Sequence, residues 1–374
     1  MAINVTQQPS GIYPAFNDSY ISFASSLTGL TKAEITVQPT ELFPNPFLIY
    51  PNTNGRFIFN LKDIVKSRMT SEGFEDNYSI PALGWNQEID NTYLSQTISI
   101  TDYHSFSGTT TSGSTTELTY EFDRSVKQVG DSIYNNTYQL LNISENGVDY
   151  HLTYFEGYPF SFELQRVSSG DTIEFKNVNS GIDNSITGIT STNSQRIYLD
   201  KGVSNWTSSN YLPLTDTINL LEIYQNETFK TNLYLKKVQP KCGYYLKWFN
   251  QNGGYSYWLF NEFSKEELKV KTLKDVATNP FKNVNEGLKN PTTTIGYEGS
   301  KRIELKTRVD EKEDEVIRSL FTSPSVQLYT SQSPYINGKW ISIDLDGSYE
   351  IYNKKKFNEI KVTIELPSLY TQTL

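Results

Sequence analysis

The sequence predicts a mainly β protein made of several sandwich-like modules joined by short helices and one long extended arm. Three observations carry that expectation. Apolar and polar residues alternate with a period of two along most of the chain. Asn, Ser, Thr and Gly crowd the intervals between the alternating runs, as turn chemistry requires. Helical periodicity is confined to two short stretches.

From the N-terminus, alternation marks strands over 43–50, 56–60 and 94–100. The intervening LKDIVKSRM (61–69) places Leu61, Ile64, Val65 and Arg68 on one face, a short helix capping a sheet. These elements compose an N-terminal β-sandwich over 1–100. Strands over 116–123, 147–154, 160–166, 171–176, 217–224 and 228–237 follow, separated by loops such as SGTTTSGSTT (107–116) and NSGIDNSITGITSTNS (179–194). They predict an inserted Ser/Thr/Asn-rich β domain over 101–237. The C-terminal module, 238–374, begins with the run GYYLKWFNQNGGYSYWLF (243–260), read as a hairpin turning at Asn250–Gly254. If its halves are strands, both faces are aromatic. A half-solvated strand would show one polar face, so the hairpin is expected to be covered on both sides. Further strands are expected over 301–308, 339–345 and 359–366. Between them, DEKEDEVIRSLF (310–321) reads as a helix with acidic residues in its first turn, where they favour the dipole, and Ile317, Leu320 and Phe321 inside. The Asp346-Gly347 pair between β runs predicts a tight turn.

Residues 273–299 carry turn residues throughout and no periodicity, which is uncommon inside a compact domain. They follow the strand-like LKVKTL (268–273). Phe281, Val284, Leu288, Ile295 and Tyr297 are irregularly spaced apolar anchors, as in an extended arm lying on a neighbouring subunit, and Pro280 and Pro291 hold the residues before them extended.

Composition limits function. Of 374 residues, 37% are hydrophobic and 14% aromatic, enough for a substantial core. A formal charge of −9 argues against nucleic acid or an anionic membrane, which need clustered cations. The basic run Lys354–Lys356 reads as a solvated strand edge. One cysteine, Cys242, excludes an intrachain disulfide. The N-terminus has no basic and apolar leader pattern, and no apolar run reaches the length of a membrane span, so synthesis in the cytoplasm is expected.

His104 and His151 stand far apart in no catalytic or zinc motif, and neither a nucleophile elbow nor a phosphate loop is present. Asp344, Asp346 and Glu350 loosely resemble a calcium loop but miss its spacing. The chain is therefore read as a non-enzyme with no cofactor and no metal. Packing or interface candidates are Tyr244, Trp248, Phe249, Trp258, Phe260, Phe281, Leu288, Ile295 and Tyr297. Trp206, Tyr211, Tyr154 and Tyr158 are candidates for a sugar-binding platform in the middle domain.

The run CGYYLKWFNQNGGYSYWLF resembles an element of tail structural proteins from phages and prophages of Bacteroides- and Flavobacterium-type bacteria. The opening QPSGIYPAFNDSYISF with NTNGRFIFNLKDIVKSRM, and the closing LKTRVDEKEDEVIRSLFTSPSVQLY and FNEIKVTIELPSLYTQTL, are similar to the same group. The likeness covers both ends and not the middle domain. It implies a structural virion subunit of a ring, hub, distal-tail or baseplate type. Such a subunit would pack with itself in a six- or twelve-fold assembly beside other tail proteins and be assembled in the bacterial cytoplasm. A host-receptor or glycan-binding tail protein is the alternative, and a glycan-cleaving tail enzyme a weaker third.

Overall fold

The computed structural model describes residues 3–26, 29–71, 73–76, 80–81, 84–90, 92–131, 139–144, 147–190, 193–202, 212, 214–215, 217–239, 242–277, 292–330, 339–348 and 357–372. The chain is mainly β, with 59% of it in strands. The strands form several separate sheets around two hydrophobic cores.

The N-terminal core lies between a three-stranded sheet (Ile3–Gln7, Tyr20–Ser25, Arg56–Asn60) and a five-stranded one (Ile12–Pro14, Thr109–Asp123, Tyr93–Phe106, Leu30–Val37, Phe47–Ile49, in that order). Alternation sends Ile21, Phe23 and Phe57 inward from the first, and Ile35, Ile98, Ile100 and Phe122 from the second. Phe23 stacks on Phe57 with ring centroids 5.0 Å apart. Helix α1 (Lys62–Met69) closes one end with Ile64, Val65 and Met69. The expected boundary at residue 100 falls within a strand, Tyr93–Phe106. Ser/Thr-rich 109–116 lies in the returning half of a long hairpin with Tyr93–Phe106, in the same sheet as Leu30–Val37. Its hydroxyl side chains pair across the strands, Thr97 with Thr119 and Thr101 with Thr115, each at 2.9 Å.

Asp123 ends that hairpin in a buried position, accepting a hydrogen bond from Ser125 Oγ. Burial pushes its carboxyl up to about 6, against the pull of the Ser125 hydroxyl and Lys127. The folded state therefore holds the proton more tightly than the unfolded chain, and stability contributed by that proton falls as pH rises from about 4 to about 6. Asp123→Asn is expected to raise the melting temperature at pH 7.5 and to flatten its slope between pH 4 and 6; an unchanged slope in thermal scans would contradict this.

The second core joins three further sheets. A four-stranded sheet (Gln139–Leu140, Phe160–Val167, Asn193–Asp200, Asn86–Ile89) and a five-stranded one (Asp149–Phe155, Thr228–Val238, Ile218–Gln225, Ile173–Asn177, Ile182–Ile186) form the middle module. A seven-stranded sheet runs Tyr255–Phe260, Tyr244–Phe249, Val326–Thr330, Lys339–Ser348, Asn358–Glu365, Tyr297–Val309, Phe263–Thr272. Middle and C-terminal modules share this one core, and the aromatic hairpin is the seam between them.

One face of the hairpin carries Trp248 and Trp258, whose indole N–H groups donate to Ser319 Oγ at 2.8 Å and Thr307 Oγ1 at 2.9 Å. The other carries Tyr245 and Tyr257, which meet Tyr158 and Phe160 of the middle module at 4.7 and 5.4 Å. Its turn is buried as well. Asn250 Oδ1 accepts from the Asn252 and Gly254 amides, and a Cβ on Gly254 would lie 2.8 Å from the Leu141 carbonyl oxygen. Gly254 is therefore needed where the tip presses against Leu141.

Helix α2 (Glu311–Arg318) forms within the expected 310–321, and a capping box starts it: Asp310 accepts from the Lys312 and Glu313 amides while the Glu313 carboxylate accepts from the Asp310 N–H. Glu313 also accepts from Thr153 Oγ1 and Lys236 Nζ, both at 2.8 Å, tying the helix to the middle module. The expected turn at Asp346-Gly347 does not form. Both residues lie inside a strand, opposite Thr363 and Val362. The glycine serves a close approach instead, since a Cβ there would come within 3.2 Å of the Phe321 ring. Lys354–Lys356 and Glu350 lie outside the described residues.

Candidate assembly surfaces

Among the described residues, Phe263–Thr272 is an edge strand, paired on one side only and exposed at all ten positions. It runs antiparallel to Tyr297–Val309 in an unbroken register from Phe263–Lys306 to Thr272–Tyr297. The ladder continues through Leu273 N–H to Gly296 O and Ile295 N–H to Lys274 O, then through the pair Asp275–Ala277 and Thr292–Thr294. The two ends of the segment read as an irregular arm are thus a β-ribbon growing from the sheet edge. Sequence reasoning missed this because TTTI and DVA are too short to show a period.

Register settles what the ribbon presents. Thr272, Val270 and Leu268 stand opposite Tyr297, Gly299 and Lys301, and Leu369 bridges to Gly299 from the far side. One face therefore holds Leu268, Val270, Tyr297 and Leu369 around the bare backbone of Gly299. Leu268 is 60% exposed and Val270 55%. The Cδ1 methyls of Leu268 and Leu369 and the Lys269 carbonyl oxygen each lie 3.9 Å from where a Gly299 Cβ would sit. Lys265, Lys269 and Lys271 alternate on the opposite face and discourage indiscriminate sheet pairing at this open edge.

A second apolar surface lies in the N-terminal module. The edge strand Phe47–Ile49 and its approach, LFPNPFLIY (42–50), expose Leu42, Leu48 and Tyr50, the last two at 51% and 68%. Leu48 and Tyr50 project outward because Ile49 between them faces the core. Contiguous exposed apolar residues on a sheet edge mark contact sites more often than chance surface.

The other residues singled out by sequence distribute as follows. Trp248, Phe249, Trp258 and Phe260 are buried within this chain, and Tyr244 is half-buried with its hydroxyl donating to Glu266. Ile295 is half-buried and Tyr297 half-exposed on the ribbon. Phe281 and Leu288 lie outside the described residues, as do Trp206 and Tyr211. Tyr154 cannot serve as a sugar platform: it is buried, with its hydroxyl donating to Asp200 Oδ2 at 2.5 Å. Tyr158 lies against Tyr245. Among the described residues, no group of three or more His, Cys, Asp or Glu is placed to hold a metal ion, and no helix is long and apolar enough to cross a membrane.

One cluster had no signal in the sequence. Asp76, Glu163, Arg196 and Lys247 meet in the second core. Arg196 Nη1 donates to both Asp76 oxygens at 2.9 and 3.0 Å, and its Nε donates to Glu163 at 2.9 Å. Lys247 Nζ reaches Asp76 at 2.9 Å and lies 4.4 Å from the centre of the Trp340 ring. Burial pushes Asp76 up, but Arg196 and Lys247 outweigh it and hold the carboxyl down at about 2. Glu163 is raised by burial, having one cation where Asp76 has two. Each carboxylate here is paired with at least one cation, so the cluster clamps sheets together.

No family model and no curated protein matches the chain. Among solved structures, a Salmonella alpha-2-macroglobulin aligns with all of this chain and 34% of its own length, at 10% identity and a TM-score of 0.17. This chain thus spans about a third of that protein, and a likeness this slight carries no argument.

Proposed function

We propose that the protein is a non-enzymatic structural subunit that assembles head-to-tail with copies of itself into a closed ring. Its setting is the one that the sequence resemblance implies, the tail of a bacteriophage virion. The observation that supports this reading most is the ribbon: an edge strand exposed along its whole length, with Leu268, Val270, Tyr297 and Leu369 grouped on one face. An isolated molecule gains nothing from holding that face in water. A neighbour that covers it recovers roughly 25 cal/mol for each Å² of apolar surface buried.

Head-to-tail contact needs two different surfaces, and the exposed 42–50 edge supplies the second. The ribbon of each subunit packs on the 42–50 edge of the next, and repetition around an axis closes the ring. The reading requires no cofactor and no metal. Light scattering and electron microscopy of the purified chain test it: closed particles of uniform subunit number are expected, and a monomer persisting at high micromolar concentration would contradict it. Leu268→Glu with Val270→Glu is expected to abolish assembly while leaving the circular dichroism spectrum and melting temperature essentially unchanged, since both side chains are exposed.

A further inference from the structure

Lys247 and Asp76 are placed for more than an ion pair. Lys247 belongs to the strand Tyr244–Phe249, and Asp76 to the segment that leads from α1 to Asn86–Ile89. Their side chains are only 3% and 7% exposed, and Lys247 Nζ lies 2.9 Å from Asp76 Oδ2. The amine nitrogen thus sits against an oxygen bonded directly to the carboxyl carbon, as a near-attack arrangement requires. Tyr255 and Trp340 flank the amine, with ring centres 5.3 and 4.4 Å from Nζ.

We propose that the folded chain joins Lys247 to Asp76 through an intramolecular amide, an isopeptide bond. The Lys247 ammonium passes one proton to Asp76 Oδ2 along their hydrogen bond, leaving a neutral amine beside a neutral acid. The amine nitrogen attacks Cγ and the C–N bond forms. A second proton then moves from nitrogen to Oδ2, the Cγ–Oδ2 bond breaks, and water departs. The step consumes no oxidant or co-reactant. Arg196 Nη1 donates to Asp76 Oδ1 at 2.9 Å, so the charge that develops on Oδ1 in the tetrahedral intermediate meets a cation already in place.

Two features separate this pair from an ordinary buried salt bridge. A cavity of about 50 Å³, lined by Asp76, Arg196, Lys247, Tyr257 and Trp340 among others, adjoins the reacting atoms and has room for the released water. The charges also stay balanced. Two cations face two carboxylates before the reaction; the amide removes one of each and leaves Arg196 with Glu163 at 2.9 Å, so the core sheds two desolvated charges and remains neutral. The ion pair is the starting state, and it reacts slowly. Burial raises the Asp76 carboxyl, but Arg196 and Lys247 hold it down at about 2, so the neutral amine–acid state is rarely populated. The bond joins positions 171 residues apart, on either side of the middle module, and a link across so long a loop restricts the unfolded chain strongly.

Intact-mass spectrometry of the purified full chain is the test. Samples kept folded for several days at neutral pH are expected to contain a species lighter by one water molecule, which grows with time and does not form in concentrated urea. Digestion of that species should yield a branched peptide linking Lys247 to Asp76, which identifies the bond without any variant. Lys247→Arg keeps the charge but lacks the nucleophilic amine, and Asp76→Ala lacks the carboxyl; each is expected to abolish the lighter species. Ring closure at Asp346-Gly347 also releases water, and neither variant touches that site. A parent chain that stays at full mass while folded by circular dichroism, equal loss of water in urea, or a loss that persists in Lys247→Arg would each overturn the proposal.

Discussion

Replacing Arg196 with methionine is expected to cost about 3–5 kcal/mol of stability, because it leaves buried carboxylates without their main partner. Among the described residues, Glu163 would keep the Tyr255 amide at 3.2 Å, and Asp76 would keep Lys247. Against a total stability of typically about 5–15 kcal/mol, that is a large fraction. Urea unfolding followed by tryptophan fluorescence reports the effect, since Trp248 and Trp258 both sit in the core that the clamp crosses. Converting all four members to apolar residues of similar volume should restore much of the loss, since a desolvated ion network gives little net stability over a packed apolar one. A cost below about 1 kcal/mol for Arg196→Met would contradict the clamp. Acid acts in a defined direction on one member. The lowered carboxyl of Asp76 contributes stability above its unfolded value of 3.8, and that contribution is lost as pH falls toward about 2.

Trp248→Ala is expected to cost a comparable amount, about 3–5 kcal/mol, by opening a cavity at the seam. Trp248 is among the largest fully buried side chains and donates to Ser319, which in turn donates to the Val316 carbonyl of α2. Its loss therefore removes volume and the fixed point between hairpin and helix together. Trp248→Phe separates the two effects, keeping most of the volume and discarding the N–H. If Trp248→Ala were as stable as the parent, the hairpin would not be the seam of the second core.

Much of this architecture is legible in the sequence where the signal is local. Alternation located most strands, the acidic first turn located α2, and aromatic residues on both faces of 243–260 foretold its double burial. Signals that depend on distant residues were not legible. Asn86–Ile89 joins a sheet through Asn193–Asp200, more than a hundred residues away, and nothing in NQEI announces that partner. Nothing in the sequence links Asp76, Glu163, Arg196 and Lys247, which the fold joins through three ion pairs of 2.9 Å. Asp346-Gly347 misled because the dipeptide that favours a turn also serves a strand passing close beneath Phe321. The ribbon's alternation was visible in LKVKTL, but that its edge would stay unpaired is a property of sheet order, which the strand itself does not encode.

The central claim is that the ribbon face of one subunit meets the 42–50 edge of the next. Two variants examine it together: a ribbon variant with Leu268→Glu and Val270→Glu, and an edge variant with Leu48→Glu and Tyr50→Glu. Each keeps one surface and loses the other, so each alone should be a monomer by light scattering. Mixed in equal amounts, they should form a species of twice the monomer mass and nothing larger, because one intact contact joins them and no second contact extends or closes the chain. A mixture that stayed monomeric, or either variant still assembling into rings alone, would contradict the account.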